Sequence, residues 1–397
     1  MRATRGGLES TIASGSGIRF ASSSAYGAAN YQDWQIIGSA AIAAPPGRCG
    51  INPVPSGEKG QTRSTKTTDP AQPTADLRLG ARRGLDACAS AAGTFAVLAL
   101  DHRQNLRKEL HPDAPDTTTY EEMVAFKRDV IRSLSRHATG SLLDPEIGAA
   151  QCIADGSLPG RAGLLVAIEA TGFAGEPTAR VSRVLPGWSV AKAKRLGASA
   201  AKLLVYYHPD AANAADQERF VAEVAEKCRA EDFALFVEPL GFDPATGGKV
   251  TGEPRRRCVV ETARRMTALG ADVLKAEFPY DVSVTDVSAW ADACAELDAA
   301  SRVPWVLLSG GVDDDTFERQ VEVACASGAS GVLVGRSVWA PSATMPPTER
   351  VRWLTTEGRR RLERLVRLVD SRGTPWHARP NAITRGAMPG DGWFRGY

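Results

Sequence analysis

The stretch Gly270-Ala-Asp-Val-Leu-Lys-Ala-Glu-Phe-Pro279 reads as one joint of a parallel β-sheet. Gly270 can end a helix in the left-handed conformation. Ala271 to Ala276 is a largely apolar run of the length of a buried strand, and Pro279 stops the ladder because it has no N–H to donate. At the tip of the run stands one lysine, Lys275. An ammonium ion taken out of water costs free energy unless it is paired or neutralised. The neutral amine is the form that attacks carbonyl carbon, so the position suits imine chemistry. On this stretch alone, a structural lysine that snorkels to solvent or pairs with Glu277 is the plainer reading.

Outward from this joint the pattern repeats. Strand candidates are Phe95–Leu100, Gly140–Leu143, Leu164–Ile168, Ala200–Tyr206, Ala234–Val237, Val273–Lys275, Trp305–Leu308 and Gly331–Val334. Between them lie stretches with helical spacing. Met123, Phe126, Val130 and Leu134 share a face, as do Phe220, Val224 and Cys228, and Phe317, Val321 and Ala324. Gly197-Ala198, Gly270-Ala271 and Gly328-Ala329 precede strands, as helix-to-strand joints do. Near-continuous apolar strands alternating with amphipathic helices imply a parallel sheet. Eight such units over roughly 280 residues predict an α/β fold, a (β/α)8 TIM barrel. An open doubly wound sheet is the alternative, but no G-x-G-x-x-G follows the first strand. Thr348 to Val369 reads as one long, Arg-rich closing helix.

Composition narrows the function. The chain has 397 residues, 43% hydrophobic and 24% charged, with formal net charge +2. That is enough to bury a large core. There is no basic stripe with interleaved aromatics, so nucleic acid is not an expected partner. No apolar run reaches membrane-spanning length, and no signal-peptide pattern opens the chain. Seven scattered cysteines without a C-x-x-C pair suit reduced thiols in a cytoplasmic protein. Residues 1–75 are rich in Gly, Ser, Ala, Thr and Pro and read as a disordered extension. A transit peptide or an upstream start codon are rival readings. Residues 76–372 form the barrel, and 373–397 a tail, or a strap packed by Trp376, Trp393 and Phe394.

In a (β/α)8 barrel the chemistry sits at the C-terminal ends of the strands. Here those ends carry Asp101-His102-Arg103, Asp144-Pro145-Glu146, Glu169, Lys202 to Tyr206, Glu238-Pro239, Lys275-Ala-Glu277, Ser309-Gly310-Gly311 and Gly335-Arg336. The last two are glycine turns after strands seven and eight, where barrels commonly bind phosphate. Glycines admit backbone N–H groups to an anion, helix N-termini add a favourable dipole, and Arg336 can supply a forked contact. Two ordinary turns with a surface arginine are the plainer reading.

Taken in order, several segments resemble the class I aldolases of the tagatose-bisphosphate and sulfofructosephosphate aldolase family (DeoC/LacD-like). They are Leu98-Ala-Leu-Asp-His-Arg103, Leu142-Leu-Asp-Pro-Glu146, Ala201-Lys-Leu-Leu-Val-Tyr-Tyr207 and Phe236-Val-Glu-Pro239. Leu274-Lys-Ala-Glu-Phe-Pro279, Pro304-Trp-Val-Leu-Leu-Ser-Gly-Gly-Val312 and Gly328-Ala-Ser-Gly-Val-Leu-Val-Gly-Arg-Ser-Val-Trp339 continue the series. The resemblance implies a barrel that cleaves a ketose phosphate through a lysine Schiff base, giving dihydroxyacetone phosphate and a three-carbon aldehyde. It implies Lys275 as the Schiff-base lysine and Glu238 as the acid/base. Asp101 and Lys202 then surround the substrate carbonyl and hydroxyls, and Ser309, Gly310, Gly335 and Arg336 form the phosphate site. His102 and Arg103 join the substrate-binding set. No cofactor is implied; the expected partner is a small sugar phosphate, and the expected assembly a homo-oligomer.

The chain departs from the family pattern at His102, where Gln is usual, and at Gly310, where Ala or Ser is commoner. Glu169-Ala-Thr-Gly172 also lacks the lysine often found in the tagatose branch. These departures leave the substrate open between tagatose 1,6-bisphosphate, a sulfonated sugar phosphate and a deoxyribose-phosphate type. A solvated lysine is amine to less than about one part in a thousand at pH 7. The chemistry therefore needs desolvation and a nearby cation, for which Lys202 is expected on the adjacent strand. Asp101, Glu277 and Asp144 can each be salt-bridge partners instead, and His102 a histidine at the surface or behind the residues that touch substrate. A metal-dependent aldolase would need ligand spacing that His102, His111, His137, His208 and His377 do not have. A sugar-phosphate sensor on the same barrel is the non-enzyme reading.

Overall fold

Eight short strands close on themselves in chain order, each parallel to its neighbours, with β8 pairing back onto β1. They are β1 (Phe95–Leu100), β2 (Gly140–Leu143), β3 (Gly163–Ala167), β4 (Ala200–Tyr206), β5 (Ala234–Leu240), β6 (Val273–Ala276), β7 (Trp305–Leu308) and β8 (Gly331–Val334). The expected (β/α)8 barrel is thus the fold, in a computed structural model that describes residues 77–379, 381–383, 388–395 and 397. The extension read into residues 1–75 lies outside the described residues.

The strands alternate. Phe95, Val97 and Ala99 of β1 face the lumen with Leu142, Leu165, Ala200, Phe236, Val273, Val306 and Leu333, while Ala96, Leu98 and Leu100 face the helices. This follows from the two-residue period of a strand, and it decides the site: the inward positions continue upward as Asp101, Lys202, Glu238 and Lys275. The three helical faces anticipated from spacing do pack on the barrel, with Phe126, Val130, Leu134, Val224, Cys228, Phe317, Val321 and Ala324 buried and Phe220 half-buried against them. The helix Tyr120–Leu134 starts at a reciprocal cap between Thr119 and Glu122.

Beyond one-residue shifts at the ends of β3 and β6, three local features depart from the sequence reading. Strand β5 runs on through Glu238-Pro239 to Leu240; Val237 had looked like its end. The closing helix is interrupted: Pro347–Trp353 and Arg359–Arg372 flank a π-helical turn at Leu354–Gly358, where Gly358 lies against the Trp353 ring. And a helix, Leu79–Cys88, precedes β1 and closes the barrel floor with Ala81, Leu85 and Cys88 buried. It lies so close that a Cβ on Gly84 would run into the Ser199 carbonyl oxygen. Trp376 joins this floor from the C-terminal side, 1% exposed, whereas Phe394 is 63% exposed and packs on nothing comparable. Among the described residues, no helix is long and apolar enough to cross a membrane.

Candidate active site

The upper lumen opens into a cavity of about 300 Å³ lined by the expected strand ends of β1, β4, β5, β6, β7 and β8, together with Glu169, Thr171 and Tyr206. The ladder register places its charges. Phe236 is level with Val273, so Glu238 and Lys275, two residues further along each strand, stand side by side. Leu204 is level with Glu238, which sets inward-facing Lys202 one step below.

Lys275 is 4% exposed and lines the cavity, so it does not snorkel to the surface. Its Nζ lies 2.7 Å from Glu238 Oε1. The other oxygen of Glu238 lies 2.7 Å from Lys202 Nζ. Lys202, 1% exposed, also donates to Asp101 Oδ2 at 2.7 Å and to Glu169 Oε1 at 2.8 Å. An ammonium has three N–H donors; Asp101 and Glu169 take two of them, while Glu238 is an ion-pair partner without a hydrogen bond.

This corrects one expectation. Lys202 is not on the strand next to Lys275; β5 intervenes, and Glu238 stands between the two amines. The Lys202 charge is screened from Lys275 by carboxylates on three sides, so it does not act on it as a bare neighbouring cation.

The cluster is strongly polarised. Burial works against the Lys202 charge, but Asp101, Glu169 and Glu238 outweigh it and hold the ammonium well above the usual lysine range. Burial likewise opposes ionisation of Asp101, yet Lys202 and Lys275 hold its carboxyl well below the usual carboxylate range. His102 goes the other way. Burial dominates, Asp101 opposes it, and Arg336 and Lys275 add to it, so the imidazole is pushed down to about 3 and is neutral at pH 7. Its ring stands edge-on to Trp339 at 5.2 Å, and its Nδ1 has no hydrogen-bond partner among the described residues.

The two glycine turns meet at the other side of the cavity. Gly310 (φ 58°) and Gly311 (φ 81°) are both left-handed, and a Cβ on Gly311 would be 2.8 Å from the Arg336 guanidinium. Gly335 N–H points at the Ser309 hydroxyl, 3.5 Å away. Arg336 faces Glu109 at 3.5 Å and keeps a third of its side chain exposed. The helix that follows, Arg336–Trp339, is one turn, so the backbone turn and the guanidinium, rather than a helix dipole, are what this corner offers an anion.

Several strand-end charges are committed to structure. Arg103 bonds Glu146 Oε2 at 2.7 Å and the Glu169 carbonyl at 3.1 and 3.0 Å, tying the tops of β1, β2 and β3 together. Glu277 accepts from Gly241 N–H at 2.7 Å and from Arg255 at 3.0 Å, and is not the partner of Lys275. Asp144 is fully buried against Lys127 and caps the Glu146 and Ile147 amides at 2.9 and 2.8 Å. Glu169 was absent from the expected site residues. Its signal was a lone carboxylate closing the apolar run of β3.

The site is thus a (β/α)8 barrel mouth with a buried lysine at the tip of β6 paired to a carboxylate on β5, at the strand ends where barrel enzymes carry their chemistry. The family model for DeoC/LacD family aldolases matches residues 95–341. Tagatose 1,6-diphosphate aldolase 2 of Streptococcus pyogenes serotype M3 is 30% identical over 310 residues, covering 72% of this chain and 94% of that one. Tagatose 1,6-diphosphate aldolase 1 of Streptococcus pyogenes serotype M1 is 29% identical over 307 residues, with the same coverage. Among solved structures, an archaeal fructose 1,6-bisphosphate aldolase at 23% identity superposes with a TM-score of 0.50, covering 74% of this chain and 99% of that one; this likeness concerns the fold. The chain belongs to the DeoC/LacD family of aldolases. It is a class I aldolase, a carbon–carbon lyase.

Proposed function

We propose that the protein reversibly cleaves a ketose phosphate of the tagatose 1,6-bisphosphate kind into dihydroxyacetone phosphate and a three-carbon aldehyde, with Lys275 as the nucleophile. The observation that carries the reading is the Lys275–Glu238 pair, 2.7 Å apart and nearly dry. Glu238 takes a proton from the ammonium, and the amine adds to the ketose carbonyl. The carbonyl oxygen leaves as water, and the protonated imine remains. A base, for which Glu238 is the nearest to Lys275, removes the C4 hydroxyl proton. The C3–C4 bond then breaks, the aldehyde departs, and the bonding pair moves into the imine to give an enamine. Protonation at C3 and addition of water release dihydroxyacetone phosphate and return the lysine.

Asp101 and Lys202 contact substrate hydroxyls from the β1 and β4 side. Ser309, Gly310, Gly335 and Arg336 take the phosphate, with neutral His102 beneath the Gly335 turn. Arg103, given its bonds to Glu146 and Glu169, acts on substrate chiefly by fixing the rim. The relatives named for tagatose 1,6-diphosphate support a bisphosphate substrate.

Borohydride reduction in the presence of dihydroxyacetone phosphate, followed by peptide mapping, tests the nucleophile. Label on Lys275 is expected, and label on another lysine overturns the assignment. Cleavage rates on tagatose 1,6-bisphosphate, fructose 1,6-bisphosphate and sulfofructose phosphate then rank the substrates, and a preference for the sulfonated sugar rejects the bisphosphate reading.

A further inference from the structure

We propose that Glu169 is a positioning residue for the aldol reaction, holding the Lys202 ammonium from the end of β3 so that Glu238 keeps one oxygen on Lys275. The inference rests on the assignment of Lys275 and Glu238 made above. Glu169 is 3% exposed and held at both oxygens. Oε2 accepts the Leu204 N–H at 3.0 Å, while Oε1 accepts from Lys202 at 2.8 Å and lies 3.6 Å from Arg103. Of the three carboxylates on Lys202 it alone is fastened to the backbone of β4, the strand that carries Lys202 itself.

That fixture matters because Glu238 serves two amines. Each of its oxygens is 2.7 Å from a lysine. If Lys202 were free to swing, it would draw Glu238 toward itself and lengthen the contact to Lys275. Anchored by Glu169 and met by Asp101 on the other side, Lys202 becomes a fixed post. The charges fit the same role. Asp101, Glu169 and Glu238 face Lys202 and Lys275, and Arg103 at the rim is shared between Glu169 and Glu146. When the proton passes from Lys275 to Glu238, both of those groups become neutral. Asp101 and Glu169 still face Lys202, and Glu146 keeps Arg103 paired at the rim, so the transfer leaves no buried charge without a partner. In a site this buried, an uncompensated charge would oppose the transfer.

Glu169→Gln removes the charge and keeps the shape; Glu169→Asp keeps the charge and shortens the reach. Removing a negative charge disfavours the protonated forms of its neighbours. The expected result for E169Q is a kcat lowered by about tenfold or more and a pH profile of kcat/KM displaced to lower pH. E169D should lose a comparable factor in kcat with its profile in place. A profile for E169Q that superposes on the parent's, or a kcat within twofold of it, overturns the proposal. Should E169Q not fold, E169D decides alone: a kcat within twofold of the parent rejects the anchoring role, and a fall of about tenfold or more with unmoved pH profile upholds it. Borohydride trapping on the parent protein separates the two levels. Failure to label Lys275 there strikes the nucleophile assignment, whereas labelling in both parent and E169Q confines any failure to Glu169.

Discussion

Glu238 and Lys275 are neighbours across the β5–β6 step, their charged atoms 2.7 Å apart, and the second oxygen of the same carboxylate is as close to Lys202. One acid thus addresses the amine that reacts and the amine that does not. The distinction between the two lysines lies in their company: Lys202 has three carboxylates around it, Lys275 has one within ion-pair distance among the described residues. A lysine with a single, protonatable partner can become an amine by one proton transfer.

Lys275→Met should abolish cleavage of every ketose phosphate the parent accepts, by more than about a thousandfold in kcat/KM. Met is close to the lysine stem in volume and leaves Glu238 its contact with Lys202, so folding should survive. The check is steady-state cleavage alongside thermal unfolding. Undiminished turnover would reject covalent catalysis at this position.

Replacing Glu238 by Gln removes the base and keeps the shape. The expected loss in kcat is roughly 10²- to 10⁴-fold, the range for a positioned acid/base group. Borohydride should still trap the imine at Lys275 on long incubation, because the amine is present and only its deprotonation is slowed. Single-turnover kinetics with and without the trap would show whether the slow step is imine formation or bond cleavage.

Arg336→Ala tests the phosphate corner. A charge-assisted contact is worth about 1.5–3 kcal/mol, so KM for a phosphorylated ketose should rise roughly 10- to 100-fold with a smaller change in kcat. Inorganic phosphate should inhibit the variant correspondingly less than the parent. A kcat effect without a KM effect would place Arg336 elsewhere in the reaction.

His102 makes stability depend on pH with a definite sign. Its folded imidazole titrates at about 3, below the ordinary value near 6.5. Between those values the unfolded chain binds a proton that the folded chain refuses, so stability falls as pH drops through this window. Asp101 adds the usual carboxylate loss at still lower pH, because its depressed titration stabilises the fold only while it is ionised. Melting temperature should therefore decline from pH 7 toward pH 4, and His102→Gln should flatten that decline. Parallel curves for parent and variant would remove His102 as the cause.

The barrel was legible because its signals are local. Apolar runs such as Trp305–Leu308, glycines such as Gly270 and the spacing of Phe126, Val130 and Leu134 each report their own element, and eight units in alternation admit few topologies. The floor helix Leu79–Cys88 gave little signal because its buried face, Ala81, Gly84, Leu85 and Cys88, carries one large apolar side chain and a glycine of poor helix propensity. The corners of the site were legible too, since a lysine at a strand tip and glycine turns are read one at a time. The ion-pair partners were not. Glu277, two residues from Lys275, turns to Gly241 and Arg255, whereas Glu169 reaches Lys202 from another strand.

The sequence by itself determined the alternation of strand and helix, the reactive residue types at the strand tips and their two-residue period, since these depend on backbone sterics and on burial of each segment's apolar face. The tertiary structure decided which carboxylate meets which amine. Closing the barrel sets the register of each ladder and the order of neighbours around the ring, and charges from segments far apart in the chain are brought within hydrogen-bond distance where water can no longer screen them.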